Sequence, residues 1–129
     1  MKNYSRQREA IKRALCSTDT HPTAKQVYEL VRQEIPNISL GTVYRNLAAL
    51  SNSGDILSIT VGDGFEHFDG DIRPHVHLHC RKCGHIADAP LTDDRPLTAA
   101  ADSGFTPDSE VYVVYGVCAD CNKCDSINN

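Results

Sequence analysis

Residues 75–84 read HVHLHCRKCG, three histidines at alternate positions followed by a Cys-x-x-Cys pair. A second pair, Cys118-x-x-Cys121, follows after a gap of 34 residues. Four thiolates in two knuckles suit tetrahedral Zn2+, so Cys80, Cys83, Cys118 and Cys121 are expected to hold a structural zinc. A thioredoxin-type redox site would use one such pair beside a βαβ unit rather than two. Cys124 extends the tail to Cys-x-x-Cys-x-x-Cys and reads as an exposed thiol. Cys16, on an amphipathic segment, reads as core.

If sulfur closes the zinc shell, the histidines are left for something else. On a strand, His75 and His77 lie about 7 Å apart on one face, near enough for their rings to converge on one ion. Asp69 and Asp88 stand close by in the sequence. Nitrogen and carboxylate oxygen without thiolate suit Fe2+, Mn2+ or Zn2+ better than Cu+. The same alternation is what a solvated polar strand face looks like, so spacing alone leaves both readings open.

These side chains need a frame, and the pattern supplies one. Residues 5–16 form a helical segment with Ser5 as its N-cap. Thr23 caps a second helix, AKQVYELVRQEI, with Val27, Leu30, Val31 and Ile35 on one face and Pro36-Asn37 at its end. Ser39 opens a third, LGTVYRNLAALSNSG, which Gly54 stops. ILSITV and FEHFD flank Gly62-Asp63-Gly64 as a hairpin. Three short helices and a hairpin make a winged helix-turn-helix, with the third helix set for the major groove. Beyond DIRP the character changes. HVHLHC and HIADA read as strands, LTAAADSG as a modest helix, and EVYVVYGV as a strong β run.

The fold class expected is therefore α+β: an N-terminal winged helix-turn-helix domain (1–70), a hinge (71–73), and a small C-terminal α/β dimerisation domain with a four-cysteine zinc site (74–129). Residues 1–50 carry eight Lys/Arg against four Asp/Glu, and residues 51–129 carry five against thirteen. A basic half joined to an acidic, Cys/His-rich half suggests division of labour. No run approaches the roughly 18 apolar residues of a membrane span, and the amino terminus has no secretory h-region. The expected location is the cytoplasm, where paired cysteines are more often metal ligands than disulfides.

The chain resembles the ferric uptake regulator superfamily over nearly its whole length. The resemblance is carried by HPTAKQVYELV, SLGTVYRNLAAL followed by SGDI, HFD, HVHLHCRKCG and YGVCADC, in that order. Within the superfamily it is similar to the peroxide-sensing, PerR-like branch. Iron-sensing relatives typically show Glu where this chain has Asp69, and often HHHDH where it has RPHVH. The resemblance implies a regulatory Fe2+ or Mn2+, with Zn2+ as a substitute, on His21, Asp69, His75, His77 and Asp88, and a structural zinc on the four paired cysteines. Relative to the family, the sequence opens almost at the Thr-Pro-Gln-Arg position, written here YSRQR. His79 and His85 replace aliphatic and Lys-like residues and are read as adventitious metal binders.

What the resemblance implies for function is a metal-dependent repressor, a homodimer on palindromic double-stranded DNA, with hydrogen peroxide as its signal. Peroxide would oxidise His21 or His75, releasing the metal and then the DNA. Tyr44 and Arg45 are the expected base readers, with Ser39, Thr42 and Asn46 as lesser candidates. Arg6, Arg8 and Lys12 are expected on phosphates, and EVYVVYGV at the two-fold axis. The protein is not expected to be an enzyme. A deaminase would set a Glu beside its His motif, and none is present. A zinc-ribbon interaction module is disfavoured by TVYRNL and the charge split. The nearer rival is an iron- or zinc-responsive member of the same family that does not sense peroxide.

Overall fold

The computed structural model describes residues 2–128, with side chains for residues 6–123. The chain divides into two compact units, Met1–Ile72 and Arg73–Asn129.

In the first unit, helices α1 (Lys2–Cys16), α2 (Ala24–Val31) and α3 (Leu40–Asn52) precede an antiparallel hairpin of β1 (Leu57–Thr60) and β2 (Glu66–Asp69). Ile11, Leu15, Val27, Val31, Val43, Leu47, Leu50, Ile56 and Phe68 form one buried cluster, so the three helices and the wing share a core. Thr23 caps α2 through a full capping box with Gln26. Ser39 caps α3 by accepting from the Thr42 amide. At the far end of α3, the amides of Gly54 and Asp55 donate to the carbonyls of Ser51 and Leu50. That is a Schellman stop, with Gly54 at φ 81°.

Three local expectations are corrected. Helix α1 begins at Lys2 rather than after Ser5, whose side chain lies outside the described residues. Helix α2 ends at Val31, well before Pro36. Pro36 disfavours helix at the residue ahead of it, and the chain tightens early into turns that bury Ile35 and Ile38 and leave Leu30 exposed. Cys16, the last residue of α1, is exposed rather than core.

The second unit is a three-stranded sheet in the order β4-β3-β5. Strand β3 (His75–Cys80) pairs antiparallel with β4 (Ile86–Pro90) and parallel with β5 (Tyr112–Gly116). Helix α4 (Arg95–Asp102) lies on the crossover, and α5 (Ala119–Asn128), unanticipated from the pattern, begins between the two cysteines of the second sulfur pair and carries Cys121. The Cys124 side chain lies outside the described residues. The faces of β3 reverse the usual sense: His77 is 1% exposed and His79 buried, while Leu78 on the other face is 38% exposed. Imidazole therefore occupies interior positions, which cost free energy unless each ring has a partner.

Candidate metal centres

The sulfur set comes from three local structures. Cys80 ends β3, Cys83 sits in the bend to β4, and Cys118 and Cys121 flank the start of α5. The bend is a tight knuckle: Cys80 donates its amide to the His85 carbonyl and accepts at its own carbonyl from Gly84, both at 2.9 Å. Gly84 takes φ 81°, a left-handed position suited to glycine. All four Sγ atoms lie within 4.8 Å of one another, with Cys80–Cys121 and Cys83–Cys118 each at 3.8 Å. A zinc tetrahedron with bonds of about 2.3 Å has edges of about 3.8 Å, whereas a disulfide would bring two sulfurs to about 2.05 Å.

The electrostatics point the same way. Amides of Cys83 and Cys118 donate to the Cys80 sulfur and hold its thiol at about 5. Its neighbours then resist further negative charge. The Cys118 side chain, with burial and Cys80 behind it, pushes the Cys121 thiol up to about 12. A dication would stabilise all four as thiolates.

The nitrogen–oxygen donors fall into two groups, one in each unit. In the first unit His21 Nε2 lies 3.4 Å from Asp69 Oδ2, both residues being buried. Asp69 Oδ1 accepts from the Asp71 amide at 2.9 Å, which fixes the carboxylate plane. His21 itself is the one described non-glycine residue with positive φ, at 55°. Such a conformation costs on the order of 1–3 kcal/mol and persists where the surroundings over-determine it. They do: Phe68 donates its amide to the Pro22 carbonyl at 2.9 Å, and His67 Nδ1 lies 2.7 Å from the His21 carbonyl oxygen.

In the second unit the β3–β4 register sets His77 directly opposite Asp88. Asp88 Oδ1 lies 3.1 Å from His75 Nε2 and 3.8 Å from His77 Nε2, and the two rings stand 4.3 Å apart. His75 Nδ1–H donates to the Arg73 carbonyl at 2.7 Å. That bond occupies Nδ1 and leaves Nε2 as the atom directed at the carboxylate, an N–H donor to Asp88 when the ring is protonated and a ligand nitrogen when it is not. Two acceptors at such a distance need a proton or a cation between them. An ion about 2.1 Å from each donor sets neighbouring donors about 3.0–3.5 Å apart, a spacing that the His21–Asp69 pair and the His75–Asp88 pair each have within its own unit.

The DNA candidates separate clearly. Tyr44 is 52% exposed and Arg45 is exposed, its guanidinium donating to Thr42 Oγ1 at 3.0 Å. Ser39 is occupied as a cap, and Thr42 is half-buried. Asn46 departs from expectation: it is 1% exposed, accepts from Arg8 Nε at 3.2 Å and donates to the Thr42 carbonyl at 2.9 Å. Arg8 is thereby partly turned inward, whereas Arg6 is exposed and Lys12 half-buried. His79 is no surface metal binder. It is buried edge-on to Tyr115, with ring centroids 5.7 Å apart, while His85 is exposed. His67 was missed altogether, because its partner is a carbonyl 46 residues away in sequence.

Known proteins align with this arrangement. A family model described as the ferric uptake regulator family matches residues 2–113. The peroxide-responsive repressor PerR of Staphylococcus epidermidis (strain ATCC 12228 / FDA PCI 1200) is 36% identical over 119 residues, spanning 91% of this chain and 79% of that protein. The protein of the same name from Staphylococcus aureus (strain USA300) is 36% identical over 117 residues, spanning 89% and 79%. Among solved structures, the Campylobacter jejuni peroxide stress regulator superposes with a TM-score of 0.82 at 27% identity, covering 92% of this chain and 91% of that one.

Proposed function

The chain belongs to the ferric uptake regulator family, and on that footing we propose that it is a metal-dependent, DNA-binding repressor that senses hydrogen peroxide. It is a regulator rather than an enzyme. The observation that carries the reading is a segregation of donors. Four sulfurs form one tetrahedral set, and a sulfur-free set of imidazole and carboxylate stands apart, with His75 Nε2 3.1 Å from Asp88 Oδ1.

In this reading Cys80, Cys83, Cys118 and Cys121 hold structural zinc. His21 and Asp69 from the first unit join His75, His77 and Asp88 from the second around one regulatory Fe2+ or Mn2+, with Zn2+ as a substitute. Ligands drawn from both units tie the recognition helix to the dimer, and metal favours the DNA-competent arrangement by its greater affinity for it. Tyr44 and Arg45 read bases, Arg6 and Lys12 take phosphates, and the exposed edge of β5 at Val114 and Tyr115 meets its copy across a two-fold axis on palindromic double-stranded DNA. No helix of the described residues is long and apolar enough to cross a membrane, and we assign the repressor to the cytoplasm.

Iron held by these residues would supply one-electron redox catalysis toward peroxide, with the His ring as the net two-electron donor. One oxygen atom is inserted at a carbon of the His21 or His75 ring and the other leaves as water. The altered ring is a poorer ligand, so the metal is lost and the operator is released. Each molecule responds once. The test is operator binding by Fe2+- and Mn2+-loaded protein before and after peroxide, with mass spectrometry of the His21 and His75 peptides. Loss of binding with iron alone, plus one oxygen atom on one of the peptides, is expected. Equal resistance of both forms would assign an iron- or zinc-responsive regulator instead.

A further inference from the structure

The chemistry above makes no use of His67, a buried ring in the middle of the wing strand β2. Its Nδ1 lies 2.7 Å from the His21 carbonyl oxygen and its Nε2 2.7 Å from Asp63 Oδ2. A carbonyl only accepts, so Nδ1–H donates to His21. Asp63 Oδ1 in turn accepts from the Phe65 amide at 3.0 Å, inside the wing turn. One ring therefore spans from the wing turn to the backbone of residue 21. It acts where the backbone has a choice, because an L residue at φ 55° leaves that conformation unless held. The bond to the His21 carbonyl orients the peptide plane after residue 21, and with it the direction in which the side chain leaves toward Asp69. An isolated bridge between Thr23 and His67 locks the same segment alongside β2.

We propose that His67 is the positioning residue for His21, and that through Asp63 it couples the wing turn to occupancy of the regulatory metal set. The inference rests on the reading of His21 as a metal ligand. The coupling is reciprocal: metal held at His21 steadies the wing, and a wing steadied on DNA favours metal. The neighbouring backbone bonds hold residues 22 and 23, so loss of the ring frees residue 21 without dismantling the hairpin.

The test uses the full chain loaded with zinc. Mn2+ affinity is measured by calorimetry for wild type, His67→Ala, His67→Gln and Asp63→Asn. His67→Ala is expected to bind Mn2+ at least tenfold more weakly and Asp63→Asn severalfold more weakly, with zinc content and far-ultraviolet dichroism unchanged. His67→Gln, which cannot span both partners, falls between them. If His67→Ala fails to fold, Asp63→Asn at the turn carries the test. The chain contains no Trp, so Phe65→Trp places a single reporter in the wing. Mn2+ should shift its emission when His67 is present and leave it unmoved in the His67→Ala background. A purely structural His67 would lower the melting temperature and leave both readouts alone. Affinities within twofold of wild type, or a reporter shift that survives His67→Ala, would overturn the proposal. If His21→Ala binds Mn2+ as tightly as wild type, the metal-site reading itself falls and takes this inference with it.

Discussion

Arg45 and Asn46 are adjacent in sequence and opposite in circumstance. Arg45 points outward with its guanidinium lightly held by Thr42, while Asn46 is sealed between α1 and α3 by Arg8. Asn46→Ala is therefore expected to lower stability by about 1–3 kcal/mol, because it strands buried hydrogen-bonding groups. The signature is a lower urea midpoint with operator preference retained. Arg45→Ala should leave the midpoint in place and weaken operator binding by about 1–3 kcal/mol, read by fluorescence anisotropy. By residue type both can read bases, Arg45 foremost, and nothing in TVYRNL shows that Asn46 is sealed inside. The distinction lies in Arg8, 38 residues away. The metal donors were easier to read, since Cys, His and Asp advertise their chemistry. His67 escaped because its task is to hold another residue's backbone.

Among the elements, what could be read was local. Thr23 and Ser39 as caps and Gly54 as a stop depend on side chains within four residues, and all three stand as expected. The early end of α2 and the inward histidine face of β3 depend on what packs against them, so periodicity misplaced one and left the other open. Two glycines separate these effects by experiment. A Cβ at Gly54 meets nothing within 4 Å, so Gly54→Ala costs only the left-handed backbone, about 1–2 kcal/mol. A Cβ at Gly70 would stand 3.1 Å from the Cys16 amide nitrogen, the Cys16 sulfur and the Leu15 carbonyl carbon. Backbone yields poorly, so Gly70→Ala should cost about 1–3 kcal/mol and also speed hydrogen exchange at the C-terminal end of α1. Gly54→Ala should lower the melting temperature and leave that exchange unchanged.

On the scale of the whole molecule the two units are unequally provisioned. The first has a continuous apolar core. In the second, among the described residues, Cys80 and Ile86 are the buried apolar side chains, α4 buries none, and Val114 is 55% exposed. Such a unit leans on its metal and on a second copy. Val114→Asp is accordingly expected to shift sedimentation from dimer toward monomer. The bend that closes β3 onto β4 is the sulfur knuckle itself, and a strand displaced by one residue presents its opposite side. Without zinc to anchor that bend, Asp88 has little to keep it across from His77. Loading then has an obligatory order, in which the inert ion is seated before the responsive one. Stripped protein given manganese first should gain little operator affinity until zinc arrives, whereas the reverse order should restore it at once.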